Sequence, residues 1–278
     1  MGGYKIEGPL LYYELHGTQG PYLLLVHGIL SSRAQWMPNL EALAAFCRPV
    51  IVELLGHGRS PTPDDPECYT PDRYVLEFEI IRKKLGVDRW FVCGQSLGAA
   101  LTLRYGLNHP EHIVAQVFTN SRSALAENLS EEMMKKVAKR LEEGGRKVLE
   151  EFPLHPSQNR RLDHKIKKAL IDDLNLINLQ GLSYNLQYLV TRCSVHKMIH
   201  ENQVPTLLIM GKFDKQFAPL VSFAEKTIPN LEILVCDGGH AVNIDAAQQF
   251  NKAVRDFMSL VLGGHKASPL DEFQGQES

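Results

Sequence analysis

The pentapeptide Gly94-Gln95-Ser96-Leu97-Gly98 constrains the fold more than any other part of this sequence. It directly follows the apolar residues 89–93, which are typical of a buried strand, and directly precedes a helix-forming stretch at 99–104. A strand, a G-x-S-x-G turn and a helix in this order form a nucleophile elbow, which holds the serine hydroxyl clear of the backbone. Glycines flank the turn because side chains there would collide with the neighbouring strand and helix. We therefore predict that Ser96 is a nucleophile.

Short apolar segments alternate with amphipathic helices through the first half of the chain and again near its end. The predicted strands cover residues 11–15, 22–26, 49–52, 89–93, 113–118, 206–210 and 231–235. A helix is predicted over 72–85, where apolar residues recur at helical spacing and Gly86 provides a stop signal. Strands that alternate with helices favour a mostly parallel sheet covered by helices on both faces. The predicted fold class is therefore α/β.

The alternation stops between residues 123 and 204, where only helices are predicted. Two apolar stripes at helical spacing mark them, Met133/Val137/Leu141 and Ile166/Leu170/Leu174. A long all-helical block inside an α/β pattern indicates an inserted lid. We expect a core domain, a lid subdomain and a disordered tail with few apolar residues. The core domain is expected at residues 1–122 with 205–262, the lid at 123–204 and the tail at 263–278.

Composition indicates which partners the chain suits. The 278 residues carry a formal net charge of −2, and 44% are hydrophobic and 22% charged, as in an ordinary soluble globular protein. No one-signed charge field is present that would attract nucleic acid or an anionic membrane. We therefore expect a small-molecule substrate, no nucleic-acid partner, no membrane partner, and a monomer or homodimer.

Cysteine usage bears on the cellular compartment and on metal binding. The five cysteines are an odd number, widely spaced, with no C-x-x-C pair. This pattern is typical of free thiols in a reducing cytosol and gives little support to a zinc site. No segment has the length and apolar character of a signal peptide or a membrane-spanning helix. We expect a cytoplasmic location, no metal and no organic cofactor.

Candidates for the groups that would activate Ser96 follow the later predicted strands. A serine hydroxyl needs an imidazole to accept its proton and a carboxylate to orient that imidazole. Active-site groups lie beyond the carboxyl ends of parallel strands, and Asp214 and His240 follow the strands at 206–210 and 231–235. The chain order Ser96, Asp214, His240 matches that of nucleophile-elbow triads. We predict that these three residues form a catalytic triad.

Two other positions were considered for the acid. Asp237 lies three residues before His240 and is a rival to Asp214. In some relatives of this elbow class the acid follows the strand after the elbow helix, but residues 119–122 contain no carboxylate here. Asp214 itself has a structural interpretation, as a turn residue or a helix N-cap before Pro219.

An oxyanion hole requires two backbone N–H groups that point at the developing negative charge. We expect one from Leu97, at the start of the elbow helix, where the helix dipole also favours an anion. The second is expected from Ile29, in the loop after the strand at 22–26. His27 lies on that same loop, and we expect it to be structural, since one serine needs only one base.

Five motifs occur in an order that resembles one known family. They are His27-Gly28, Gly56-His57-Gly58-Arg59-Ser60, the elbow around Ser96, Gly211-x-x-Asp214 and Gly239-His240. Together they resemble the α/β-hydrolase superfamily, specifically its single-domain members with a helical lid after the sixth strand. The resemblance implies the α/β-hydrolase fold, with a mostly parallel eight-stranded sheet. This chain has Glu53 where the family usually has Asp, and it has Asp245 where an acidic residue often follows the histidine.

The nucleophile restricts the activities that the resemblance implies. Family members that dehalogenate or open epoxides use Asp in the elbow, so Ser96 argues against those reactions. We expect a serine hydrolase that cleaves a carboxylic ester, or a related acyl bond, of a small to medium hydrophobic substrate through an acyl-enzyme. Side chains that could line its pocket are Trp36, Met133, Met134 and Leu189.

Two alternatives remain open at this point. Carbon–carbon bond hydrolases that act on diketo acids, and related lyases, share the same triad, but their substrates need a basic partner. Only Arg122 and Arg192 are candidates for that partner. A receptor of this fold that binds a ligand without turning it over is the alternative from another class, although a pure binder has no need of a complete triad.

The predicted lid has a consequence for the pocket. We expect its helices to cover the elbow and to close a largely apolar pocket from bulk water, which would strengthen the oxyanion contacts. Four charged residues are then expected to face solvent on the outer side of the lid: Lys135, Lys136, Lys139 and Arg140.

Overall fold

The computed structural model describes residues 10–127, 129–152, 155–159 and 162–263. Its strands are β1 Tyr13–Leu15, β2 Tyr22–Val26, β3 Arg48–Val52, β4 Trp90–Gly94, β5 Ile113–Thr119, β6 Thr206–Gly211 and β7 Leu231–Cys236. They form one sheet in the order β1-β3-β2-β4-β5-β6-β7. β1 pairs with β3 in antiparallel orientation, and every other pair is parallel. The sheet is therefore mostly parallel, as predicted.

The eight strands implied by the family resemblance are corrected to seven within the described residues. Each of the seven apolar segments identified in the sequence overlaps one strand of the sheet. The eighth strand was implied by the resemblance alone, and no apolar segment had been assigned to it. For the same reason the helical insertion follows β5, the fifth strand here, and not the sixth.

Helices connect the strands and cover the sheet. They are α1 Met37–Ala44, α2 Pro71–Lys84, α3 Leu97–Asn108, α4 Arg122–Leu125, α5 Glu131–Gly144, α6 Lys147–Glu150, α7 His164–Leu174, α8 Leu179–Tyr184, α9 Ala218–Thr227, α10 Val242–Asp245 and α11 Ala247–Leu262. A π-helical segment, Asn185–Val190, continues α8. Short 3₁₀ turns lie at Arg33–Trp36, Pro66–Tyr69, Pro110–His112, Pro156–Gln158 and Ile199–Glu201. No described helix is both long enough and apolar enough to cross a membrane.

Two hydrophobic cores lie on the two faces of the sheet. Successive residues of a strand point to opposite faces, so Leu24 and Val26 of β2 join one core while Leu23 and Leu25 join the other. The first core contains side chains of α2, α3 and α9, and the second contains side chains of α1 and α11. The central strands are consequently buried on both faces, which explains their continuous apolar sequences.

The helical insertion between β5 and β6 has a smaller core of its own and several contacts with the sheet domain. Its core contains Leu141, Leu149 and Leu174, which pack with Leu30 from the loop after β2. The four charged residues predicted on the outer face of the insertion are exposed in the structure. Leu141, Leu170 and Leu174 of the two apolar stripes are buried, whereas Met133, at the start of the first stripe, is exposed.

The end of the insertion, from α8 onward, is packed closely against the sheet domain. A Cβ on Gly181 would lie 2.7 Å from Cα of Gly56, so the two backbones touch. Nearby, the Asn185 amide donates to the carbonyl oxygen of Leu55 at 2.8 Å and accepts from the Tyr74 hydroxyl at 2.8 Å. Farther along, the side chains of Leu189, Cys193, Val195 and Ile199 belong to the main core. The part from α8 onward is thus integrated into the sheet domain.

Candidate active site

The turn between β4 and α3 places Ser96 in a conformation that L-amino acids rarely adopt. Its φ is 52° and its ψ −113°, in the positive-φ region that is sterically costly for a residue with a Cβ. Both neighbouring glycines are required by close backbone approaches. A Cβ on Gly94 would lie 2.4 Å from the Gly98 carbonyl oxygen, and a Cβ on Gly98 would lie 2.2 Å from that of Val26. The predicted elbow geometry is present.

Ser96, His240 and Asp214 form a continuous chain of hydrogen bonds. The distance from Ser96 Oγ to His240 Nε2 is 3.0 Å, and that from His240 Nδ1 to Asp214 Oδ2 is 2.8 Å. A carboxylate can only accept, so Nδ1 carries the imidazole proton and Nε2 is left to accept from the serine hydroxyl. The structure thus brings together three residues that are 144 and 26 positions apart in the sequence.

The carboxylate of Asp214 is buried and firmly held. Its Oδ1 accepts from the backbone amides of Gln216 at 3.1 Å and Phe217 at 3.2 Å. Burial by itself would raise the pKa of Asp214, but the hydrogen bond and charge of His240, together with these two amides, outweigh it and hold the pKa below its usual value. The carboxylate therefore stays ionised beside the imidazole.

The rival acid lies elsewhere. Asp237 is exposed, pairs with Lys212 and accepts from Gln249. It has no contact with His240 among its hydrogen bonds to described residues. After β5, where some relatives carry the acid, the chain places Asn120, which is fully buried. Asp214 is the carboxylate in contact with the imidazole.

Two backbone amides lie near Ser96 without a protein acceptor. Within the described residues, no hydrogen bond is formed by the N–H of Ile29 or of Leu97. Leu97 is the first residue of α3, where backbone N–H groups are unpaired and the helix dipole is positive. Ile29 lines the cavity next to Ser96. These are the amides that the sequence predicted as an oxyanion hole.

Two buried histidines in the neighbouring loops remain neutral. His27 donates from Nδ1 to the Gly28 carbonyl at 2.7 Å and accepts at Nε2 from the Leu54 amide at 3.1 Å. Burial, with a contribution from nearby His57, lowers the pKa of His27 to about 3, and burial lowers that of His57 to about 4. His27 therefore fixes loop conformation, in agreement with its predicted structural role.

A small cavity opens at Ser96. It encloses about 70 Å³ between the sheet domain and the insertion. Its lining is mixed: Ser31, Gln35, Gln95 and Asn159, with Ser96 and His240 of the triad, are polar, and the other described lining residues are apolar. The described lining residues are Ile29, Leu30, Ser31, Gln35, Gln95, Ser96, Pro156, Asn159, Leu162, Leu170, His240, Ala241 and Ile244. None of them is cationic.

The four residues predicted to contact substrate do not line this cavity. Trp36 has no exposed surface and packs on Phe250 in the core. Leu189 is fully buried in the main core, Met134 packs on the core of the insertion, and Met133 is 60% exposed. The prediction for these residues is therefore corrected. An apolar residue at helical spacing fits a core as well as a pocket, so its sequence could not distinguish the two.

The polar lining residues Ser31, Gln35 and Asn159 were missed by the sequence analysis. Ser31 donates to Gln35 at 2.6 Å, and Gln35 donates to Asn243 at 3.1 Å. Asn159 donates to Asp245 at 3.4 Å. None of these three lining residues belongs to a motif, and among their partners only Asp245 carried a signal, through its position after His240.

One group of potential metal ligands occurs among the described residues. Glu79, His109 and His112 place ligand atoms within 4.8 Å of one another. Both oxygens of Glu79, however, accept from the guanidinium of Arg82, at 2.8 and 2.9 Å. This group lies by α2 and the end of α3, away from Ser96, and functions as an ion pair.

Comparison with known proteins gives a consistent result. A family model described as "alpha/beta hydrolase fold" matches residues 21–247. A putative 2-succinyl-6-hydroxy-2,4-cyclohexadiene-1-carboxylate synthase of Bacillus subtilis is 26% identical over 250 residues, which cover 86% of this chain and 90% of that protein. A putative carbamate hydrolase of Pseudomonas savastanoi pv. phaseolicola is 26% identical over 262 residues, or 90% of this chain and 99% of that protein.

Solved structures with the same fold include two hydrolases. The enol-lactonase of Burkholderia xenovorans LB400 has a TM-score of 0.77 at 21% identity, and the match covers 90% of this chain and 96% of that one. A thermophilic esterase of Thermogutta terrifontis has a TM-score of 0.76 at 22% identity, with 90% and 93% covered. At these identities the likeness concerns the fold alone. The match to the family model extends over most of the chain, and the chain therefore belongs to the α/β-hydrolase family.

Proposed function

We propose that this protein is a serine hydrolase that cleaves a carboxylic ester or a related acyl bond through an acyl-enzyme. One observation carries the proposal: the hydrogen-bonded chain from Asp214 through His240 to Ser96 ends at a cavity. A serine hydroxyl at 3.0 Å from an imidazole nitrogen can lose its proton as it attacks a carbonyl, which makes it an effective nucleophile.

The first half of the reaction forms the acyl-enzyme. Ser96 Oγ attacks the substrate carbonyl while His240 Nε2 accepts its proton. Asp214 stabilises the imidazolium through the hydrogen bond to Nδ1 and keeps the ring oriented. The carbonyl oxygen becomes negatively charged and accepts from the N–H groups of Leu97 and Ile29. His240 then protonates the leaving group, and the carbon–oxygen bond to it breaks.

Hydrolysis of the acyl-enzyme uses the same groups in reverse. His240 removes a proton from a water molecule as the water oxygen attacks the acyl carbon. The tetrahedral oxyanion again accepts from the two amides. When it collapses, the bond to Ser96 Oγ breaks and His240 returns a proton to the serine. The acid product leaves, and the triad regains the hydrogen-bonding pattern of the free enzyme.

The size and lining of the cavity favour a short acyl group. Pockets for drug-sized ligands enclose about 300–1,000 Å³, whereas this cavity encloses about 70 Å³. Leu170 and Ile244 supply apolar surface to it, one from the insertion and one from α10. We propose a neutral ester or lactone with an acyl part of a few carbons. The lactonase and esterase among the solved structures of this fold are compatible with that substrate class.

The two alternatives have less support. A diketo acid carries a carboxylate, but Arg122 and Arg192, the cations considered for it, are both exposed and neither lines the described part of the cavity. A receptor that does not turn over its ligand would not require Ser96, His240 and Asp214 in hydrogen-bonding distance. The hydrolase proposal accounts for all three.

Active-site labelling and ester turnover test the proposal together. We expect a fluorophosphonate probe to label the wild-type protein and not Ser96→Ala. We also expect p-nitrophenyl acetate and butyrate to be hydrolysed with higher kcat/KM than the octanoate or laurate. Ser96→Ala serves as the matched control for background hydrolysis. Full turnover by Ser96→Ala, or absence of labelling in the wild type, would refute the mechanism.

We further propose that α5 to α7 act as a lid over this cavity. Pro156, Asn159 and Leu170 lie in this part of the chain and line the cavity. Replacement of residues 131–174 by a glycine-serine linker spares α8 and the segment that packs in the main core. We expect this variant to change the preference for acyl chain length while labelling of Ser96 persists. An unchanged chain-length profile would contradict the lid proposal.

A further inference from the structure

Two residues that directly follow β5 bond to the loops that carry the triad and take no part in the proposed reaction. Asn120 and Ser121 are both fully buried. Buried polar side chains are almost always hydrogen-bonded, so their partners show which parts of the chain they hold together.

Asn120 joins the two loops that carry the acid and the base. Its Oδ1 accepts from the backbone amide of Gly211 at 3.1 Å, three residues before Asp214. Its Nδ2 donates to the carbonyl oxygen of Gly239 at 3.1 Å, one residue before His240. One amide group therefore uses its acceptor on the Asp214 loop and its donor on the His240 loop.

Ser121 extends this connection to the nucleophile. Its Oγ donates to the carbonyl oxygen of Ser96 at 2.6 Å, and it accepts from the amide of Ala124 at 3.1 Å as the N-cap of α4. The backbone of Ser96 is in a positive-φ conformation, which needs surrounding contacts to hold it. The hydroxyl of Ser121 provides one of these contacts.

The other hydrogen bonds between these loops show which connection Asn120 and Ser121 add. The acid and base loops are bonded directly to each other, from Lys212 N to Cys236 O and from Phe213 N to Gly238 O, both at 3.0 Å. These bonds do not reach the elbow. On the cavity side Gln95 Nε2 donates to the His240 carbonyl oxygen at 3.2 Å. Directly after β5, Asn120 and Ser121 supply a second connection to the elbow.

We propose that Asn120 and Ser121 are positioning residues that set the distance and angle between Ser96 and the His240–Asp214 pair. The inference rests on the proposed function, because the distance matters for a proton transfer between Ser96 and His240. A misplacement of about 1 Å in such an arrangement can lower a rate by about 100-fold. The pair acts through the backbone of the three loops and does not touch substrate.

The decisive experiment separates kcat from KM in an ester assay. We expect Asn120→Ala to lower kcat about 10- to 100-fold, with KM changed by less than about threefold. Ser121→Ala is expected to lower kcat by about tenfold, and Ser121→Thr, which keeps a hydroxyl, to restore most of it. Labelling of Ser96 by the fluorophosphonate should slow in parallel with kcat.

Two matched controls account for lost stability. Asn202 is another buried asparagine, which donates to the carbonyl oxygens of Val204 and Pro229 at 2.8 and 3.1 Å, before β6 and far from the triad. Ser130 is an N-cap like Ser121, accepting from the Met133 amide at 3.2 Å, but it is exposed and therefore controls for the lost cap alone. Asn202→Ala and Ser130→Ala are expected to lower the melting temperature while kcat stays within about twofold of the wild type.

A second measurement does not depend on turnover. Proton NMR of the resting protein detects the Nδ1 proton of His240 in its hydrogen bond to Asp214 as a low-field signal. We expect this signal to be lost or shifted in Asn120→Ala and kept in Asn202→Ala. If the wild type neither binds the probe nor hydrolyses esters, the proposed function fails, and the NMR comparison alone decides on positioning. A kcat for Asn120→Ala equal to that of Asn202→Ala, with the signal unchanged, would overturn the inference.

Discussion

Replacement of Asp214 by asparagine isolates the contribution of the carboxylate charge. The side-chain oxygen of asparagine can still accept from the amides of Gln216 and Phe217, which now bond Oδ1 at 3.1 and 3.2 Å. The new NH₂ group then occupies the position of Oδ2, at 2.8 Å from His240 Nδ1. Because an NH₂ group donates, Nδ1 has to accept and the imidazole proton moves to Nε2. Nε2 then faces Ser96 as a donor and cannot remove its proton.

The expected magnitude follows from this change of tautomer. In serine proteases the wrong tautomer lowers kcat by about 10⁴-fold, which corresponds to about 5.4 kcal/mol of transition-state stabilisation. The structural cost is smaller, because the three hydrogen bonds of the side chain remain and only the contribution of its charge to them is lost, at about 1–3 kcal/mol of folding free energy. We therefore expect Asp214→Asn to remain folded and to bind substrate with a nearly unchanged KM.

The assay is steady-state hydrolysis of p-nitrophenyl acetate, with urea unfolding of each variant. Asp237→Asn is the matched control, since Asp237 is exposed and pairs with Lys212. We expect its kcat to stay within about twofold of the wild type, because exposed ion pairs contribute little. A loss of less than about tenfold for Asp214→Asn, or an equal loss for Asp237→Asn, would refute the assignment of the acid.

Three further predictions concern packing, selectivity and pH. Gly98→Ala should yield little folded protein, because its Cβ would lie 2.2 Å from a carbonyl oxygen of β2. Gly86→Ala has nothing within 4 Å of its Cβ and should lower the free energy of unfolding by only about 1–2 kcal/mol. Circular dichroism and urea unfolding compare the two variants. Leu170→Ala should enlarge the cavity and shift the best ester substrate to a longer acyl chain. An unchanged ranking of p-nitrophenyl esters would contradict the proposal that Leu170 limits the length of the acyl chain. Burial opposes ionisation of Glu79, but its hydrogen bonds to Arg82 and a tyrosine hydroxyl outweigh burial and lower its pKa to about 2. The usual pKa of a glutamate is about 4.3. The contribution of Glu79 to stability is therefore present above about pH 4.3 and is lost as the pH falls toward 2. Glu79→Gln should therefore lower the free energy of unfolding by about 3 kcal/mol at pH 7 and weaken its decrease between about pH 4.3 and 2. A pH profile of the unfolding free energy parallel to that of the wild type would exclude this contribution of Glu79.

The elements around the nucleophile could be predicted because their determinants are local. The strand expected at 89–93 is observed at Trp90–Gly94, and the strand expected at 206–210 is observed at Thr206–Gly211. In both cases a buried apolar run ends at a glycine within a few residues of the predicted side chain. The turn geometry at Ser96 likewise depends on five adjacent residues. Asp214 and His240 were found because parallel strands place their carboxyl ends at one edge.

The lining of the cavity could not be predicted, because it depends on how the insertion meets the sheet domain. Asn159 and Gln35 approach the same cavity from distant parts of the chain, and neither belongs to a motif. Asn120 was similarly hidden, since its two partners lie 91 and 119 residues away. Trp36 illustrates the opposite error, because a large aromatic side chain is equally suited to a substrate pocket and to the core in which it lies.

The backbone of Ser96 has a consequence for folding itself. A non-glycine residue held at φ 52° and ψ −113° stores about 1–3 kcal/mol of strain, which is a sizeable fraction of the 5–15 kcal/mol that keeps a typical domain folded. Glycine adopts positive φ without this strain, so an inactive Ser96→Gly protein should melt at a higher temperature than the wild type. Selection for thermostability alone would then favour loss of the nucleophile. Directed evolution of a more robust form of this protein therefore has to screen for turnover and heat resistance together.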